Sequence, residues 1–148
     1  MTTPQDLTIA SIAHDDIASV VALWQRCGLT RPWNDPTGDI AFARRGPNSA
    51  VLVGRHGGTL VATVMVGHDG HRGWFYYLGV DPALQGKGFG RAMTRAAEAW
   101  LTARGIAKAQ LIVRAENDRV RAFYEALGYG EQERILFAKW LDGRPLTP

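Results

Sequence analysis

Cysteine is nearly absent. Cys27 stands alone, so no disulfide can close within the chain, and its place on an apolar helical stripe marks a small buried hydrophobe rather than a nucleophile. No apolar run is long enough to cross a bilayer, and residues 1–6 lack the basic-then-apolar order of a secretory signal. A cytoplasmic protein without membrane attachment is expected. Basic runs of five or more residues, an aromatic-rich basic stripe and zinc-ligand spacing are all missing, which argues against nucleic acid as a partner. The net charge of +3 adds only a general preference for anionic ligands. What is present is ordinary for a globular chain: 46% hydrophobic and 21% charged residues in a length of 148, enough for one continuous core. Residues 1–142 are expected to form that domain and 143–148 a loose tail.

Alternation over residues 7–12 predicts a first strand, after which Asp15 or Asp16 can cap a helix striped with Ile17, Val20, Val21 and Trp24 and ended by Gly28. The prolines of Arg31-Pro32-Trp33-Asn34-Asp35-Pro36 predict a loop, then a short helix over 39–45 with Arg44 and Arg45 at its solvated end. β-Branched and apolar runs at 49–55 and 60–67 flank His56-Gly57-Gly58-Thr59 as a hairpin. A second turn over 68–73 leads into the aromatic run 74–80, where Gly79 marks a bulge. Phe89, Met93, Ala97, Trp100 and Leu101 share one helical face that Gly105 stops. Residues 107–113 are predicted as a strand. Asn117 or Asp118 then caps a helix with Val120, Phe123, Tyr124 and Leu127 on one face, closed by Gly128, and 129–141 supply the last one or two strands. This order defines an α/β domain with a mixed sheet.

The chemistry-bearing segment is Gln85-Gly86-Lys87-Gly88-Phe89-Gly90, between a strand and the longest helix, where successive backbone N–H groups can form a concave anion nest. Side chains at Gly88 or Gly90 would stand between those donors and a phosphate, whereas Lys87 adds a point charge from the rim. Each charge-assisted hydrogen bond is worth about 1.5–3 kcal/mol and the helix dipole roughly 0.3–1, so several amides outweigh Lys87 and the ligand should contain a pyrophosphate. A magnesium-holding phosphate loop needs Ser or Thr after the lysine, and Gly88 stands there. A dinucleotide fingerprint needs a later glycine where Arg91 stands. Both readings fail.

The string Tyr77-Leu78-Gly79-Val80-Asp81-Pro82-Ala83-Leu84-Gln85-Gly86-Lys87-Gly88-Phe89-Gly90 closely resembles the acetyl-CoA signature of GNAT-superfamily N-acetyltransferases. Asn117 followed by Ala122-Phe123-Tyr124-Glu125-Ala126-Leu127-Gly128-Tyr129 resembles their second signature. Arg31-Pro32-Trp33-Asn34-Asp35-Pro36 and Asp69-Gly70-His71-Arg72-Gly73 resemble the bacterial YpeA-like subgroup. The resemblance implies a single-domain fold with a mixed, mostly antiparallel sheet, a splayed strand pair and about four flanking helices. It also implies direct acetyl transfer from acetyl-CoA to a primary amine within a ternary complex, with a homodimer by analogy. The alternatives are a non-catalytic acyl-CoA-binding regulator on the same fold and a structural module whose glycine turn holds nothing.

The same resemblance assigns roles. Backbone groups of Leu78 and Val80, about the bulge at Gly79, would bind the pantetheine amides, with Leu78 as oxyanion donor; amides of 85–91, from Gln85 through Gly86, Lys87, Gly88, Phe89 and Gly90 to Arg91, would hold the pyrophosphate; Asn117 would touch the pantetheine. Tyr124 matches the tyrosine that donates a proton to the departing thiolate, although its place beside Phe123 and Leu127 is also explained by packing. Several relatives have a glutamate base where this chain has Ile112. The base candidates left are Asp69, His71, Tyr76, Glu116 and the loop residues Asn34 and Asp35; Trp33, Asn34, Asp35 and Asp69 are placed on the acceptor side, where His71 could also make a contact. His71 also suits an exposed turn, and Trp33 also suits an anchor for its loop. His68, His71 and Asp69 make too sparse a set for zinc, so no metal is expected.

Overall fold

A computed structural model describes residues 6–146 and divides into two compact units, 1–112 and 113–148. The first five residues, and Pro148 and its neighbour in the expected tail, lie outside the described residues. The described residues of unit 1–112 contain five strands, β1 (Thr8–Ser11), β2 (Ser49–His56), β3 (Thr59–His68), β4 (Gly73–Val80) and β5 (Ala109–Gln110), in the spatial order β1-β2-β3-β4-β5. The first three pairings are antiparallel and β4–β5 is parallel, so the sheet is mixed as predicted. Its helices are α1 (Ile17–Arg26), α2 (Pro36–Ala43) and α3 (Phe89–Thr102). Trp24, Val20 and Ile40 from α1 and α2 share a buried cluster with Val51 and Val53 of β2. A side chain at Gly54, next along β2, would instead meet Met93 of α3. Successive strand residues face opposite ways, so α3 covers the other face.

Three boundaries differ from the expectation. Helix α2 starts at Pro36 rather than 39 because the Asp35 side chain accepts the N–H of Gly38 and Pro36 fills the first helical position, where a missing N–H costs nothing. It ends at Ala43, leaving Arg44 as the C-cap. Strand β5 is two residues long instead of spanning 107–113, because its ladder with β4 stops after Gly73↔Ala109 and Trp74↔Gln110. Cys27 is half-buried as the C-cap of α1, not a stripe residue of the core.

Unit 113–148 contains α4 (Asp118–Ala126), capped by the Asn117 side chain, which accepts the N–H of Val120. The strands predicted over 129–141 are not formed among its described residues. Ile135 and Phe137, within that predicted stretch, are exposed instead.

One ion pair fastens the start of α1 to the sheet. The buried carboxylate of Asp16 accepts the Ala13 N–H and the Arg55 guanidinium, and the first of these does most to hold it below its ordinary value of 3.8. A depressed carboxyl contributes stability that is complete above its ordinary value and lost as pH falls through the lower folded one. Asp16→Asn is expected to cost about 1–3 kcal/mol near neutral pH and to flatten the acid limb of stability. Denaturant melts across the acid range check this; an unchanged acid limb would exclude the pair as its source.

Candidate functional site

Between Met65↔Tyr76 and Thr63↔Gly79 the β3–β4 ladder opposes one residue of β3 with two of β4, Tyr77 and Leu78. This is a bulge, and it falls before Gly79. Tyr77 adopts φ 54, the one non-glycine residue with positive φ among those described. Gly79 serves close approach instead: a side chain there would press on Leu29 and on the Cys27 Sγ at 3.1 and 3.2 Å.

The carbonyl of Tyr77 accepts from the Thr63 hydroxyl at 3.0 Å. In a planar trans peptide the N–H of Leu78 lies opposite that carbonyl and therefore points away from Thr63. Asp81 N–H donates to Val61, so by alternation the amide groups of Val80 also face away from β3. The Val80 carbonyl is engaged by Gln85 Nε2 at 3.1 Å and the Cys27 thiol at 3.3 Å. Beyond Trp74 no strand of unit 1–112 pairs with this edge of β4.

After β4 the chain turns over Pro82–Leu84, capped by Asp81, which accepts the Ala83 N–H and pairs with Arg26 at 3.2 Å. Gly86 and Gly88 have φ 78 and 84, conformations that a side chain would strain. Gly88 is the N-cap of α3 and has no side chain to cap it. The Ala92 N–H is the first to find a helical carbonyl, that of Gly88, so the N–H groups of Phe89, Gly90 and Arg91 are left facing out. Phe89 is buried against the His56 ring, while Gln85, Gly86, Lys87, Gly88 and Arg91 are exposed. One anchored ring thus holds an otherwise open loop.

The other candidates are dispersed. Asp69 accepts the N–H groups of His71 and Arg72 and, at 3.4 Å, Trp74 Nε1, and the two backbone bonds hold its carboxyl below the usual range. His71 is exposed in the same turn. That turn opens β4 at Gly73, five residues or about 16 Å along the strand from Leu78, so neither residue reaches the bulge. Tyr76 is half-exposed, and its phenol is pushed up by burial and then by the charge of Asp69, which keeps it protonated. Asp35 is spent as a helix cap, Asn34 is exposed and Trp33 half-buried. Glu116 is exposed. In unit 113–148, Tyr124 is buried edge-on between Phe123 and Tyr129, and burial pushes its phenol up to about 12. Trp24, Asp39 and Thr63 were not candidates from sequence, yet they surround Tyr77. A threonine inside an apolar β-branched run was the available signal.

Residues 17–129 match the acetyltransferase (GNAT) family. An acetyltransferase of Yersinia pestis (strain Pestoides F) is 43% identical over 135 residues, covering 91% of this chain and 96% of that one. The ribosomal-protein-S18-alanine N-acetyltransferase of Escherichia coli is 28% identical with a TM-score of 0.75, covering 93% and 87% of the two chains. An aminoglycoside N-acetyltransferase in complex with CoA is 15% identical with a TM-score of 0.79, covering 91% and 95%, a likeness of fold. The chain belongs to the acetyltransferase (GNAT) family and is an acetyltransferase of that α/β fold. Among the described residues no helix is long and apolar enough to cross a membrane, and no group of three or more His, Cys, Asp or Glu could hold a metal ion.

Proposed function

We propose that the chain transfers acetyl from acetyl-CoA to a primary amine by direct attack in a ternary complex, with residues 1–142 as the acetyltransferase domain. The uncapped start of α3 is the observation that carries this reading: three outward N–H groups behind two left-handed glycines suit a pyrophosphate. The stretch of β4 around the bulge, which no strand of unit 1–112 pairs on this side, suits an extended arm with amides of its own, bound through Leu78 and Val80.

In the reaction the amine lone pair attacks the thioester carbonyl carbon and forms the C–N bond. The Leu78 N–H stabilises the oxyanion, the C–S bond then breaks, and Tyr124 protonates the leaving thiolate. The proton lost by the amine passes to solvent, and the Tyr124 phenolate takes a proton back from solvent before the next turnover. Asn117 Oδ1 accepts the Val120 N–H and caps α4, and in this reading its Nδ2 donates to the pantetheine. The names of the two solved N-acetyltransferases share only a nitrogen acceptor, which supports an amine and no narrower class.

Calorimetry with acetyl-CoA and CoA release across a panel of amines test the proposal. Micromolar binding and turnover on at least one amine are expected. Binding without turnover on any would favour a regulatory role, and no binding would end the reading.

A further inference from the structure

The peptide that supplies the Leu78 N–H is held from behind. Trp24 Nε1 donates to the Thr63 hydroxyl at 2.9 Å, and that hydroxyl donates to the Tyr77 carbonyl at 3.0 Å. Trp24 and Thr63 are fully buried, so water cannot substitute for either bond. The Tyr77 ring stacks on Trp24 with centroids 3.7 Å apart and planes 4° apart, and its hydroxyl donates to Asp39 of α2 at 2.7 Å. These contacts hold Tyr77 in a backbone region that tyrosine rarely adopts.

Resting on the acetyl-transfer reading, we propose that Trp24 and Thr63 are positioning residues for the oxyanion donor. The carbonyl of Tyr77 and the N–H of Leu78 belong to one rigid peptide. A hydrogen bond to the first fixes the direction of the second and, by polarising the peptide, makes it a stronger donor. The relay runs from the indole through the hydroxyl and the peptide to the thioester oxygen, and no member of it before Leu78 touches substrate. Thr63 is therefore tuned to the transition state, where charge grows on that oxygen, rather than to coenzyme binding.

The test compares Thr63→Val, which keeps shape and loses the hydroxyl, with Thr63→Ser, which keeps it. Thr63→Val is expected to lower kcat at least about tenfold while the CoA Kd moves less than about threefold, and Thr63→Ser is expected to recover most of the loss. Infrared spectra of bound carbonyl-labelled acetyl-CoA should show the downshift of the thioester band shrinking in the valine variant and returning in the serine one. Should the valine chain not fold, Thr63→Cys supplies the same comparison with a weak donor. Unchanged kcat and band position in a folded variant would overturn the relay, as would equal losses in the valine and serine chains. Failure of the wild-type chain to bind CoA would instead remove the parent reading, and the relay with it.

Discussion

Gly88→Trp is expected to abolish acetyl-CoA binding in a chain that still folds. The substitution sets an indole at the mouth of α3, in front of the first-turn N–H groups that precede the Ala92–Gly88 bond. Three charge-assisted bonds at about 1.5–3 kcal/mol each correspond to a loss of roughly a thousandfold or more in Kd, beyond calorimetric reach. Any side chain at φ 84 also introduces backbone strain, so the control must share it. Gly105, just past α3, has φ 79 and open space around a would-be side chain. Gly105→Ala should lose comparable stability and keep its Kd. Equal weakening in both chains would attribute the effect to folding and count against the nest.

Tyr124→Phe is expected to lower kcat about a hundredfold while the acetyl-CoA KM moves less than about twofold, the pattern of a group that acts only as the thiolate leaves. Steady-state kinetics check it, and unchanged turnover would remove Tyr124 from the mechanism. Burial pushes the phenol up to about 12, which makes it a weaker acid than an exposed tyrosine. Transfer remains feasible because the same removal from water raises the thiolate's proton affinity. The phenol stays protonated through mildly alkaline pH, so wild-type and variant kcat profiles should run parallel below about pH 10. Stability has a definite sign here. A pKa raised on folding leaves stability intact below the ordinary value of 10.0 and removes it as pH rises towards about 12. At roughly 1.4 kcal/mol per unit, wild type should lose a few kcal/mol that the phenylalanine chain does not.

The glycine segment was legible in sequence because turn glycines are a local property: Gly86 and Gly88 take left-handed φ, and α3 begins at Phe89 directly after them. Helix stripes and the β2–β3 hairpin were legible for a similar reason, since period and turn glycines are local properties. Partnership is not local. Residues 129–141 have strand-like composition and no strand, and β5 stops at Gln110 although apolar residues continue.

The acceptor candidates divide along the same line. Asp69 and His71 were each candidates by residue type, but the hairpin turns the Asp69 carboxylate onto its own backbone and sets both at the far end of β4. Asp35 looked available and is a helix cap. By itself the sequence determined the family, the order of α1 to α4 and the place of the glycine turn before α3, because these depend on composition and spacing within short stretches. Only the tertiary structure decided where the bulge falls and which way the Leu78 N–H points. Those depend on Trp24, Thr63 and Asp39, residues 14 to 53 positions from Tyr77 that only folding brings into contact with it.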